Sequence, residues 1–142
     1  MVKKKLNISE KYYFFLNPYD DCGFYRCPKC EGLTRVRKFL LVINIKNSKY
    51  IFNLNKQCKF CSYCELIISK KSDVDDFLTQ MNLTYSFNKN DYCIIGTLSK
   101  DYLKKCKGKN LLDNNTKEIF KKYFRIFKKI LNFEQDYDNR RG

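Results

Sequence analysis

The chain has 142 residues, 44% of them hydrophobic, which suits one globular domain with an ordinary core. It carries 29 Lys+Arg against 15 Asp+Glu, a formal net charge of +14, and no histidine, so Ser/His and Cys/His catalytic pairs are excluded. No run of 18 apolar residues offers a membrane span, and the stretch Tyr12 to Leu16 is too short for a signal-peptide core, so a cytoplasmic protein is expected.

In chain order, "YYFFLN" (12–17) reads as a short buried strand ended by Asn17-Pro18, and "PYDDCG" is turn chemistry. "TRVRKFLLVINI" (34–45) predicts a strand with Val36, Phe39, Leu41, Ile43 and Ile45 on one face. "KNSK" turns the chain and "YIFNLN" (50–55) returns it. "ELIISK" (65–70) is a further strand, and together these predict an antiparallel sheet. Ser72 is the expected N-cap of a helix over 73–82 with three Asp in its first turn. "DYCIIGTLS" (91–99) reads as a strand with a bulge at Gly96 and with Cys93 as a small buried apolar residue. "KDYLKKCKGKN" predicts a helical turn into a loop.

The last element is expected to be an amphipathic helix. Asn115 and Glu118 form a capping-box pair in "NTKEIFKKYFRIFKKILNFE". At about 100° per residue, Ile119, Phe120, Tyr123, Phe124, Ile126, Phe127, Ile130 and Leu131 share one arc, and Lys117, Lys121, Lys122, Arg125, Lys128 and Lys129 the other. A core-packing face backed by solvated lysines is the simplest reading. A phosphate-tracking or membrane-surface face is the alternative.

Eight cysteines punctuate the chain: Cys22, Cys27, Cys30, Cys58, Cys61, Cys64, Cys93 and Cys106. Two C-x-x-C units far apart are the pattern by which four thiolates enclose one tetrahedral zinc ion, because a tight turn sets two sulfurs side by side with backbone amides aimed at them. "CPKCEGLTRV" echoes "CSYCELIISK": both read C-x-x-C-E and then a β-prone run. The echo selects Cys27, Cys30, Cys61 and Cys64 as metal ligands, with Cys58 as an alternative ligand in place of Cys64. Zinc suits an all-sulfur set, and iron–sulfur is the second soft-metal reading. A thioredoxin-type centre needs a strand-to-helix junction, whereas both motifs here precede β-prone runs.

The pieces "FFLNPY", "RCPKC", "TRVRKFLLVI", "LNKQCKFCSYCELII" and "DYCIIGTL", spanning about residues 13 to 99, resemble a family of small, mostly bacterial proteins with paired C-x-x-C motifs. The family's third motif carries a proline where Ser62 stands here. The resemblance implies a bound zinc and no particular activity, and at a looser level the arrangement looks like a zinc ribbon. The expected fold class is thus α+β: a small antiparallel sheet with a zinc-ribbon-like four-cysteine site, plus two helices including the amphipathic C-terminal one. A single domain, 1–142, would comprise a zinc-binding β core (12–70) and an α/β extension (73–135).

The charge is uneven. Residues 1–72 balance at +10, 73–92 at −3 and 93–142 at +7. Such excess suits DNA or RNA, and a coding bias toward A and T is the competing source of it. Arg26, Lys29, Arg35, Arg37, Lys38, Lys59 and Tyr63 lie around the cysteines and are candidate nucleic-acid contacts, lysine and arginine on phosphate and rings on bases. The expected function is a zinc-stabilised nucleic-acid-binding module or accessory subunit. The alternative is a protein–protein adaptor whose zinc, a structural cofactor, only replaces core. No P-loop or G-x-G-x-x-G occurs, and Asp pairs such as Asp20/Asp21 ordinarily cap turns, so an enzyme is not expected.

Overall fold

A computed structural model describes residues 9–102 and 120–135. Its elements are β1 (Ser9–Glu10), β2 (Tyr13–Asn17), β3 (Arg35–Ile45), β4 (Ile51–Cys61), β5 (Leu66–Lys70), α1 (Lys71–Asn82), β6 (Tyr92–Leu98), β7 (Phe124–Ile126) and β8 (Lys129–Leu131). The strands form one mixed sheet in the order β1-β7-β6-β3-β4-β5-β2-β8.

That sheet closes on itself. β1 pairs in parallel with β7 (Ser9 with Arg125), and β2 with β8 (Tyr13 with Lys129), at the same sequence offset. The Lys11 N–H donates to the Ile126 carbonyl and the Lys128 N–H to the Tyr12 carbonyl, so the ladder continues through the gap between the short strands. β1–β2 and β7–β8 are therefore two bent strands, and the eight elements amount to six chain segments around a narrow barrel. Tyr12, at φ 71°, supplies the bend of the first, a left-handed conformation costly for a bulky residue. Its ring is held edge-on against Phe39 and Phe60, centres 5.4 and 5.7 Å away.

Alternation along each strand fills the interior. Phe14, Phe39, Leu41, Ile43, Ile45, Cys58, Phe60, Ile67, Ile94 and Phe127 belong to one buried cluster. Val74 and Leu78 of α1 join it, so the helix plugs the mouth opposite the start of β3. Two outer clusters sit beneath covering segments. Cys22, Phe24 and Cys27 of the 18–34 loop pack on Phe15, Cys61, Leu66 and Ile68 of the sheet. Leu40, Val42, Leu98 and Phe124 meet Tyr102 and Phe120.

The small antiparallel sheet expected from the sequence is thus replaced by a large curled sheet of mixed direction, with parallel contacts at β1–β7, β2–β5 and β2–β8. The expected C-terminal helix is also corrected. Residues 120–123 are helical, but the chain then runs as β7 and β8; residues 115–119 and the expected cap lie outside the described residues. Phe124 and Phe127 decide the matter physically. Three apart, they would share a helix face. Here Phe124 enters the outer cluster while Phe127 stacks on Phe14 inside the barrel at 4.7 Å, as residues of a strand can. Smaller corrections follow from the same fold. Val36 faces outward, 58% exposed, rather than sharing the face of Phe39. Helix α1 starts after Lys70 without a side-chain cap, and only Asp73 occupies its first turn. The register shift beside Gly96 does place a bulge where one was expected.

Candidate metal centre

The site begins with a sheet alternation. β4 runs through to Cys61, so Cys58 and Phe60 face the barrel interior while Cys61 faces out, beneath the 18–34 loop. Cys61 then opens a four-residue turn to Glu65, and Cys64 comes back beside it. Across from this turn, Cys27 and Cys30 form the equivalent turn in the loop. The two turns share a backbone signature: the Glu after the second cysteine is left-handed in each, Glu31 at φ 66° and Glu65 at φ 54°. The repeated C-x-x-C-E is therefore a repeated conformation. In the first turn the Glu31 N–H donates to the Cys27 carbonyl and the Cys27 N–H to the Gly32 carbonyl.

The four sulfurs of Cys27, Cys30, Cys61 and Cys64 all lie within 4.8 Å of one another. Cys30 Sγ and Cys61 Sγ are 3.6 Å apart. A tetrahedral ion with bonds of about 2.3 Å sets its sulfurs about 3.8 Å apart, so the cluster has the right size. Amides already point at it: Lys29 N–H to Cys27 Sγ, Gly32 N–H to Cys30 Sγ and Cys64 N–H to Cys61 Sγ, each at 3.4 Å. The thiols titrate apart. The Gly32 amide holds the Cys30 thiol below its ordinary range, burial pushes Cys27 up, and burial together with the neighbouring thiols pushes Cys64 up to about 12. Thiolates brought this close repel one another, and a cation among them would offset that repulsion. The arrangement is one that can hold a metal ion, and four protein ligands would leave it no open position.

Cys58 is not part of the cluster. Three residues from Cys61 on an extended strand, it must point the other way; its Sγ lies 3.6 Å from the Lys56 carbonyl oxygen, and burial raises its pKa to about 11. Cys22 is buried on the inner side of the 18–34 loop, packed in the outer cluster, and Cys93 is half-buried in β6 rather than fully inside.

The basic candidates divide among three places. Arg26 and Lys29 lie on the first cysteine turn, Arg26 over the Tyr25 ring and Lys29 over Tyr13, 4.7 Å from its centre. Tyr63 projects from the second turn, 87% exposed. Arg35 and Arg37 occupy inward positions at the open end of β3, where Arg37 covers the rings of Phe39 and Phe60 at 4.8 and 5.1 Å and Arg35 lies 5.9 Å from Phe60. Lys38 and Lys59 face outward from β3 and β4. Phe24 and Phe60 are core residues, and among the described rings near the cysteines Tyr63 is the most exposed. Lys70, Gln57 and Asn17, which share the outer face with Lys59, were not singled out from the sequence; the signal lay in extending β4 and β5 by strict alternation. No helix among the described residues is long and apolar enough to cross a membrane. No protein-family model, curated protein or solved structure matches the chain.

Proposed function

We propose that the chain is a small zinc-stabilised nucleic-acid-binding protein, the ion held by Cys27, Cys30, Cys61 and Cys64. The observation that carries this is the convergence of four sulfurs on two turns with cations nearby: Lys29 beside Tyr13, and Arg35 and Arg37 at the neighbouring barrel mouth, while Lys128 pairs with Glu65. Zinc is favoured because an all-thiolate tetrahedron satisfies it and it brings no redox chemistry. The ion is structural: it fixes Lys29 and Tyr63 on adjoining tips, a cation and an open ring, which suits phosphate contact and base stacking on a single strand.

The test is fluorescence anisotropy with single-stranded RNA, single-stranded DNA and duplex DNA at about 50 mM salt, followed by a salt series. Affinity that falls linearly with log salt, and is weakened by Tyr63→Ala without loss of metal, is the expected result. Absence of binding to all three at low salt overturns the reading. A protein–protein adaptor is the second reading, and one feature favours it: Leu33, 72% exposed, and Tyr63 stand beside the two cysteine turns. Recovery of one defined partner from cells, abolished by Leu33→Ser, would replace the first reading if polynucleotide binding is absent.

A further inference from the structure

The outer face of the sheet carries a cleft of about 310 Å³, running from Gly23 in the 18–34 loop to the start of α1. Asn17, Val36, Gln57, Lys59, Ile68 and Lys70 line its floor and sides, and Lys56 and Asp73 stand at its α1 end. Its walls are preorganised. The Asn17 amide donates to the Cys22 carbonyl at 2.6 Å and accepts from the Tyr19 N–H at 2.9 Å, fastening the overhanging loop to β2.

The charges in the cleft are unbalanced. Lys56 is spent on Asp73, 2.6 Å away. Among the described residues no carboxylate lies in ion-pair reach of Lys59 or Lys70. Lys59 sits opposite Ile68, and Lys70 follows two residues along the same face of β5, so the two lysines are diagonal neighbours, about 7–8 Å apart. Lys38, opposite Gln57, adds a third cation at the rim. Like charges placed this close repel, and among the described residues no ion pair relieves them. With Asp73 counted against the three lining lysines, the cleft keeps a surplus of two positive charges. The Gln57 amide between them can donate to an oxygen, and Val36 offers an apolar wall.

We propose that this cleft is a phosphomonoester site, taking the terminal phosphate of a mononucleotide or of a nucleic-acid strand end. A terminal phosphate carries close to two negative charges at neutral pH, matching the surplus, whereas an internal phosphodiester carries one. The volume lies at the lower end of small-ligand sites, enough for about one nucleotide unit and not for a passing strand. In its strand-end form the proposal rests on the nucleic-acid reading above; in its mononucleotide form it does not.

The experiment uses the whole protein at about 50 mM salt. One single-stranded decamer is prepared with hydroxyls at both ends, with a 5′ phosphate and with a 3′ phosphate, and adenosine monophosphate is run beside adenosine. The expected result is about tenfold tighter binding of one phosphorylated decamer over the hydroxyl form, the loss expected when a charged hydrogen-bond pair is removed. Adenosine monophosphate should bind where adenosine does not, and inorganic phosphate should compete in the wild-type protein. Lys59→Gln and Lys70→Gln should erase each preference while metal content stays at the wild-type level. Equal binding of all three decamers with no uptake of adenosine monophosphate overturns the cleft proposal and leaves the nucleic-acid reading standing. No decamer binding with adenosine monophosphate retained does the reverse. If no probe binds, both fall.

Discussion

Replacing Cys64 and Cys58 separately by serine tests the centre most directly, because Cys58 faces the barrel interior from β4 while Cys64 lies in the turn after β4, beside the outward-facing Cys61. An apparent binding free energy of roughly 10–16 kcal/mol for four thiolates on structural zinc gives about 3 kcal/mol per ligand. Cys64→Ser should therefore weaken metal binding about a hundredfold. The sulfurs, all within 4.8 Å, need to draw in by at most about 1 Å to reach the tetrahedral spacing, so the wild-type site fills without moving the strands. Cys58 cannot substitute, since its thiol would have to cross the sheet. Cys58→Ser instead sets a hydroxyl in the barrel interior, at a cost of about 1–2 kcal/mol to folding and none to the ion. The assay is metal per chain by elemental analysis, with chelator competition for affinity and urea unfolding for stability. Loss of the ion in Cys58→Ser together with its retention in Cys64→Ser would refute the ligand set and the register of β4 from which it follows.

Gly96→Ala should destabilise the protein by about 3 kcal/mol in urea unfolding, because an added Cβ would lie 2.2 Å from the Arg125 carbonyl oxygen and force β7 away from β6; a change under about 0.5 kcal/mol would mean that the seam is looser than described. Burial raises the Cys58 pKa from 9.0 to about 11, so the unfolded chain releases this proton first. The contribution is whole below pH 9 and falls away as pH rises toward 11, by roughly 3 kcal/mol. Cys58→Ala should flatten that part of the stability–pH curve, and an unchanged slope would argue against the buried thiol. Chelation should release amide protection in residues 18–34 and 62–65 while β3 stays protected, since none of the four ligands belongs to the interior cluster. Uniform loss of hydrogen-exchange protection would count against a metal confined to the surface turns.

The cysteine set was legible because a motif repeated in sequence is here a turn repeated in space, down to the left-handed Glu after each pair. The doubt between Cys58 and Cys64 was also resolvable in principle. Phe52, Leu54, Lys56, Cys58 and Phe60 alternate inward, which puts Cys58 and Cys61 on opposite faces. Lys56 hid the pattern, since a lysine at an inward position reads as the end of a strand. It is tolerated because Asp73 of α1 neutralises it. The C-terminal strands were illegible for a different reason. Their apolar residues fit a helical arc as well as an alternating strand over so short a run. What makes β7 and β8 strands is the partner offered by residues 9–15 at the other end of the chain, a pairing that no local window contains.

That distant pairing explains how one small chain divides its labour. The returning 124–131 segment closes the barrel through hydrogen bonds to β1, β2 and β6, and the interior so enclosed is apolar and contains none of the four clustered cysteines. The 18–34 loop has no such ladder. The Arg26–Leu33 bridge and the Thr34 hydrogen bonds tie it within itself, and it is attached to the rest of the chain by the Asn17 hydrogen bonds, by the Tyr19 hydroxyl donating to the Phe133 carbonyl and by the edge-on packing of Phe24 against Phe15 at 5.2 Å. A segment with so few backbone contacts to the sheet needs a further constraint to hold a fixed surface, and Cys27 and Cys30 supply it by facing Cys61 and Cys64 across the turn. The same loop overhangs the cationic cleft. On the proposed reading, an ion held by these four sulfurs would fix the shape of a surface formed by the loop, and its ligands would come from the turns and the end of β4 rather than from the interior cluster.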